Sequence, residues 1–309
     1  MYPIIPKRKL SLGLSAILII ASLTCIAVWG LRFGIDFTGG TLIELHNEDA
    51  AQPIATNDLR ASLTAGGIHV VSLQTTDTRS YLLRTQAMDE GEHQRFSLLL
   101  IEKYPVAEGG SSRLTELRYE SVGPTIGAEF RQKAFLTIGI ALVAIILYIA
   151  YSFRKVSYPL ASWKYGVCAV IALAHDITIP TGIYAALGYF YGWEVDLLFV
   201  TALLTILGFS VHDTIVVFDR IRENLIKSGG KNFDDVANDS VNQTLARSIN
   251  TSLTTLLVLV ALFIFGGDTT KHFTFVLILG IIFGTYSSIF VASPLLVIWN
   301  NYNNHLRSK

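Results

Sequence analysis

Residues 195–218 read VDLLFVTALLTILGFSVHDTIVVF, and they are followed at once by Asp219 and Arg220. About 20 helical residues cross a ~30 Å hydrocarbon core, so this stretch is long and apolar enough to span a membrane. It nevertheless keeps Asp213 well inside its inner end. Outward from it, five further apolar runs occupy 10–31, 134–153, 165–191, 249–267 and 273–302. The reading is a polytopic α-helical membrane protein with six transmembrane helices. Composition agrees: 51% of the 309 residues are hydrophobic and 16% charged, against roughly a quarter charged in soluble domains. The mean hydropathy is +0.47, which excludes an ordinary soluble enzyme.

Lys and Arg orient the runs, because cytoplasmic loops keep positive charge during insertion. Lys7, Arg8 and Lys9 precede the first run; Arg154, Lys155 and Lys164 lie between the second and third. Arg220, Arg222, Lys227, Lys231 and Arg247 follow the fourth, and Arg307 and Lys309 end the sequence. All fall on one side, so both termini are expected in the cytoplasm and the segment between the first two runs outside. The first run has no small-residue cleavage site before Asp36 and is read as an anchor, not a removable leader. Cys25 and Cys168 sit within apolar runs and are read as buried thiols.

The net charge of zero hides a partition. Between Asp36 and Lys133 there are 14 acidic and 9 basic residues, so the outer segment carries −5 and the remainder +5. Nothing in this balance calls for nucleic acid. Within the outer segment, 41–46 reads as a strand, 57–65 as a helix, 69–75 and 81–85 as strands, 92–104 as a helix stopped by Pro105, and 114–120 as a fourth strand. The order βαββαβ predicts an α+β ferredoxin-like extracytoplasmic domain. His46, His69 and His93 are scattered singly there and read as surface histidines. The expected layout is a tail and first helix over 1–33, the outer domain over 34–133, helices two to six over 134–302, and a tail over 303–309.

Ionisable residues at membrane depth are costly and mark function. Asp176 and Asp213 qualify, each preceded by a histidine, His175 and His212. Asp196, at the outer end of its helix, can reach the interface. At 1.5 Å per residue Asp213 lies roughly 9 Å inside the Asp219–Arg220 boundary, and an antiparallel fifth helix starting near Arg247 brings that residue to a similar level. Arg247, Asn250, Thr251, Thr254 and Thr255 then form one polar stripe. Two readings compete: a polar path towards the carboxylate, or hydroxyls bonded to their own helix with Arg247 reaching for headgroups. The facing Asp213 favours the first. Pro180 suggests a kink, Ser293-Pro294 a bend in the last run, and Gly280 with Gly284 a packing face.

No phosphate-binding loop is present; Ser-Gly-Gly-Lys at 228–231 lacks both spacing and preceding strand. No cofactor or metal is expected, and an intramembrane carboxylate without a nucleotide site points to an ion gradient. At this point the residues resemble a known family. Gly34-Ile35-Asp36-Phe37-Thr38-Gly39-Gly40-Thr41 and Val122-Gly123-Pro124-Thr125-Ile126-Gly127 look like signatures of the SecD/SecF translocase family. Residues 211–224 (VHDTIVVFDRIREN) and 243–252 (QTLARSINTS) are similar to the fourth-helix motif and fifth-helix start of its SecF branch.

The resemblance implies a non-enzymatic half-transporter of RND type in the cytoplasmic membrane, paired with SecD. Such a pair assists the SecYEG channel and the SecA motor, using the proton or another ion gradient to complete export of an unfolded polypeptide after the ATP-dependent stage. It carries the family's functional Asp and Arg onto Asp213 as proton carrier and Arg247 as counter-charge; the polar stripe read from the spacing then places Asn250, Thr251 and Thr254 along the expected ion path. Asp176 and His212 are secondary candidates. Two other classes stand beside this reading: a non-conducting scaffold, whose Asp and Arg only pack helices, and an intramembrane aspartyl protease. The protease lacks its Gly-x-Gly-Asp sequence at Ser210-Val211-His212-Asp213.

Overall fold

The computed structural model describes residues 1–49, 52–77, 79–106, 112–152, 162–228 and 232–307. Arg154, Lys155, Lys231 and Lys309 of the charge map lie outside the described residues. The chain divides into two units, one made of Met1–Arg32 with Phe135–Lys309 and the other of Phe33–Ala134.

Helix α1 (Arg8–Trp29) belongs to the first unit. The second unit opens with a single helical turn, α2 (Ile35–Thr38), and continues through β1 (Gly40–Asn47), α3 (Thr56–Ala65), β2 (Val70–Asp77), β3 (Ser80–Thr85), α4 (Glu90–Lys103) and β4 (Leu114–Val122). All pairings are antiparallel and the strand order is β2-β3-β1-β4. Alternation along β1 sends Ile43 and Leu45 to one face, where they meet Leu83 of β3 and are covered by Leu59 and Leu63 of α3 and Phe96 and Leu100 of α4. Helix α4 starts earlier than periodicity suggested. Asp89 and Glu92 form a reciprocal cap, with Glu92 N donating to Asp89 Oδ1 at 2.8 Å and Asp89 N donating to Glu92 Oε2 at 3.0 Å, which satisfies two amides left open at the helix start.

The two glycine-bearing signatures seat against each other in this unit. Gly39 has φ +72°, and a Cβ there would lie 2.7 Å from Pro124 Cα. Only glycine combines that backbone with so close an approach. His46 and His93 have local partners, Ser80 at 3.0 Å and Glu116 at 2.8 Å.

Helix α5 (Pro124–Ser152) runs out of this unit into the first, followed by α6 (Ser162–Tyr191), α7 (Leu197–Lys227), α8 (Phe233–Phe265) and α9 (Asp268–Ser287). A π-helical turn, Ser288–Ala292, then joins α9 to α10 (Ser293–Arg307). It falls where Ser293-Pro294 interrupts the last run, since a proline without N–H cannot continue the α ladder. Helix α6 continues through Pro180. Among the described residues, six segments are long and apolar enough to cross a membrane, the last being Thr270–Tyr302.

Close packing centres on α7 and α9. A Cβ on Gly280 would lie 2.1 Å from Ile206 and one on Gly284 3.0 Å from Ser210, so the two glycines bring α9 directly against α7. Helix α6 packs on both and on α1, and α8 packs on α7 and α9. Beyond the apolar runs, α7 and α8 extend together. Asn224 donates to Ser240 and Gln243, and Arg220 Nε donates to Gln243 at 2.6 Å. Arg220 and Asn224 of the 211–224 signature thus form a polar joint between the two helices.

Candidate functional site

Asp176, Asp213 and His175 are the only Asp, Glu, His, Lys or Arg side chains buried among the described residues. Each carboxylate is surrounded by hydroxyls from neighbouring helices. Asp213 on α7 accepts from Ser248 of α8 at 2.6 Å and from Ser288 at the start of the π-turn. Asp176 on α6 accepts from Ser210 of α7 and from Ser287 of α9 at 2.7 Å, and its Oδ1 lies 2.8 Å from His175 Nδ1. Every carboxylate oxygen therefore has a partner, as burial of a charge-bearing group requires.

The geometry follows from helix periodicity. Ser210 and Asp213 stand three residues apart on α7, so they share a face and address the same region. Ser287 and Ser288 follow Gly284 on the side of α9 that packs against α7. Adjacent residues on a helix point about 100° apart, and these two reach different carboxylates on different helices. Thr285, three residues before Ser288, pairs with Ser252 of α8 and also donates to Ile281 O at 2.8 Å. Hydroxyls thus run from α8 through α9 to α6.

Of the residues singled out in the sequence, Asp213 and Asp176 enter this cluster. Arg247 does not reach Asp213: it lies on the exposed side of α8 and makes no ion pair with that carboxylate. The level along α8 is the one expected, since the next residue, Ser248, bonds to Asp213. The face differs. Thr244, Ser248 and Ser252 are buried at four-residue spacing, whereas Arg247, Asn250, Thr251 and Thr254 are exposed. Thr251 donates to Arg247 O at 2.9 Å, and Thr254 and Thr255 to Thr251 O at 2.9 and 3.0 Å, so within this chain those hydroxyls serve their own helix. His212 is exposed. Asp196 caps α7, accepting from Phe199 N at 2.7 Å.

Sequence reasoning missed Ser210, Ser248, Ser287 and Ser288. A usable signal existed for the last two, because they follow the Gly280/Gly284 face that brings α9 close to α7.

These observations define a polytopic helical membrane protein whose bundle buries two hydroxyl-ligated carboxylates. Comparison with known proteins narrows the class. The family model described as "Protein export membrane protein SecD/SecF, C-terminal" matches residues 105–302, and that for the "SecD/SecF GG Motif" matches residues 26–46. The chain belongs to the SecD/SecF family of protein export membrane proteins. It is 44% identical over 298 residues to the protein translocase subunit SecF of Thermobaculum terrenum, covering 93% of this chain and 90% of that one. To the SecF subunit of Anaerolinea thermophila it is 40% identical over 302 residues, covering 97% and 95%. A crystal structure of SecDF, a translocon-associated membrane protein from Thermus thermophilus, superposes with a TM-score of 0.81 at 32% identity. That alignment takes in 97% of this chain and 39% of the SecDF chain.

Proposed function

We propose that this chain is the SecF-type half of an ion-driven export machine, working with SecD to move an unfolded polypeptide outward after the SecA-dependent stage at SecYEG. Asp213 is the proton carrier. The observation that carries this reading is a carboxylate buried in the bundle of a SecD/SecF family member and held only by hydroxyls, Ser248 and Ser288. Such a group can gain or lose a proton without breaking an ion pair. Arg247 and the polar stripe Asn250, Thr251 and Thr254 are exposed on this chain alone, which suits a face met by the SecD half. In that complex Arg247 serves as counter-charge, and the stripe lines the path of the ion.

Localisation in the cytoplasmic membrane with both termini inside is supported by the charge map and by Asp234 at the start of α8. It binds Arg8 at 2.9 Å from the first helix and Asn301 at 3.0 Å from the last, so both ends gather on the α8 side. The outer unit is read as a ferredoxin-like domain on the order βαββαβ and the strand order β2-β3-β1-β4, facing SecD and the emerging polypeptide.

The test is export into membrane vesicles that carry SecD and this chain, with proton and sodium gradients imposed separately once the ATP-dependent stage is complete. Asp213→Asn is expected to assemble with SecD and lose the response to the coupling gradient. A normal response in that variant removes Asp213 as carrier.

A further inference from the structure

Asp176 is more deeply buried than Asp213, at 0% against 9% exposure, and the reading above gives it no role. Three features of its surroundings bear on what it does. The first is its connection to Asp213. Ser287 and Ser288 are consecutive, yet Ser287 donates to Asp176 Oδ2 and Ser288 to Asp213 Oδ2. Ser210 adds a second link, since it donates to Asp176 from one turn before Asp213 on the same helix.

The second is that each of the paired serines has two acceptors for its single proton. Ser287 Oγ lies 2.7 Å from Asp176 Oδ2 and 3.1 Å from Gly284 O. Ser288 Oγ has Asp213 Oδ2 on one side and Thr285 O at 3.0 Å on the other. A hydroxyl is donor and acceptor at once. When the carboxylate is ionised, the serine proton points to it. When water or a neighbouring group delivers a proton to the carboxylate, the new carboxyl O–H donates to Oγ and the serine proton turns onto its own helix carbonyl. Either state leaves the serine hydroxyl and the carboxyl oxygen it faces paired. Ser287 closes α9 and Ser288 opens the π-turn, whose looser ladder is common at functional sites; Ser293 Oγ, at the start of α10, donates back to Ser288 O at 3.0 Å.

The third is His175. Its Nδ1 faces Asp176, and its Nε2 is buried with no partner among the described residues. With Asp176 ionised, the Nδ1–H tautomer donates to it, and the Nε2 lone pair can accept one further proton. Of the elements packed on α6, α7 presents Asp213 and α9 presents Tyr286, stacked at 6.0 Å on the imidazole. Helix α1 presents Ser15, which donates to Tyr286 Oη at 3.3 Å. Among the described residues no Lys or Arg is buried with them, so within this chain the groups of the cluster that can take up a proton are His175, Asp176 and Asp213.

We infer that Asp176 is a second proton-holding carboxylate, coupled to Asp213 through the adjacent hydroxyls of Ser287 and Ser288, with His175 as its proton-accepting neighbour. The inference rests on Asp213 being the carrier and adds a linked site to it. Strongly interacting ionisable groups give up their protons in steps that belong to the pair and not to either residue.

The experiment uses this chain reconstituted with SecD in lipid vesicles, and follows the infrared carbonyl bands of protonated carboxyls through a pH titration beside gradient-driven ion flux. In the parent protein two bands titrate together. Asp213→Asn removes one and shifts the other; Asp176→Asn removes the second. The double variant Ser287→Ala with Ser288→Ala keeps both carboxyls and moves their midpoints away from the parent's, with a matching displacement of the flux profile. Infrared titration and flux profile in Asp176→Asn superimposable on the parent overturn the inference. Should that variant fail to assemble, unchanged midpoints in the double serine variant overturn it equally. Loss of the Asp213 role is read separately: flux that persists in Asp213→Asn defeats the carrier assignment, while the Asp176 band is scored without reference to flux.

Discussion

Ser248 Oγ donates to Asp213 Oδ1 at 2.6 Å, so the side chain that α8 offers to the buried carboxylate is the one directly after Arg247. Facing Asp213 with a hydroxyl and leaving the guanidinium on the exposed side separates two jobs that sequence spacing had merged. One holds the carboxylate inside this chain; the other is available to a partner.

Arg247→Ala tests that separation. Exposed substitutions away from packed features change stability by about 0.5 kcal/mol or less, so the variant purified without SecD should melt within a degree or two of the parent. Gradient-driven export with SecD should be lost. An early melt of the isolated variant would assign Arg247 a role in this chain's own fold.

Removing Ser248 acts on the other job. Ser248→Ala deletes one of two hydroxyl donors to Asp213, and a hydrogen bond to a charged group contributes about 1.5–3 kcal/mol. Thermal unfolding in detergent should fall accordingly, and the pH profile of export should move. Ser248→Thr retains the hydroxyl and should restore the profile more fully than it restores the melting temperature.

The α7–α9 contact gives a packing prediction. Gly280→Leu places side-chain atoms where Ile206 already stands, 2.1 Å from the would-be Cβ, and overpacking of this kind costs about 1–3 kcal/mol. Because the same contact sets Ser287 and Ser288 against the aspartates, export should weaken together with thermal stability. Pairing it with Ile206→Ala, which opens space, should recover part of both.

In the outer unit, Gly39→Ala meets two obstacles, a positive φ and the Pro124 backbone 2.7 Å away. Backbone strain of that kind costs on the order of 1–3 kcal/mol. Amide exchange of the full chain should show β1 and the start of α5 less protected, with α7 and α9 unchanged. Equal protection throughout would mean that the approach of Gly39 to Pro124 is dispensable.

Helix periodicity and charge were legible at once in the sequence. Runs of about 20 apolar residues and the strand-forming stretches at 41–46 and 81–85 gave the apolar helices, their number and the order of elements along the chain, because these depend on local spacing and on transfer out of water. Asp176 and Asp213 stood out for the same reason, as carboxylates in stretches that otherwise avoid charge.

Which face of each helix turns inward is a different kind of information. On α8 the two candidate stripes, Arg247-Asn250-Thr251-Thr254 and Thr244-Ser248-Ser252, are both polar and both helically spaced, so periodicity alone cannot rank them. The tertiary structure ranks them through the packing of α8 against α7 and α9, which leaves room beside Asp213 for a serine and turns the larger arginine outward. The sequence by itself therefore determined a six-span membrane protein with buried acids. Only the tertiary structure decided that Ser248, Ser288, Ser210 and Ser287 hold those acids, because that depends on how closely Gly280 and Gly284 let two helices approach.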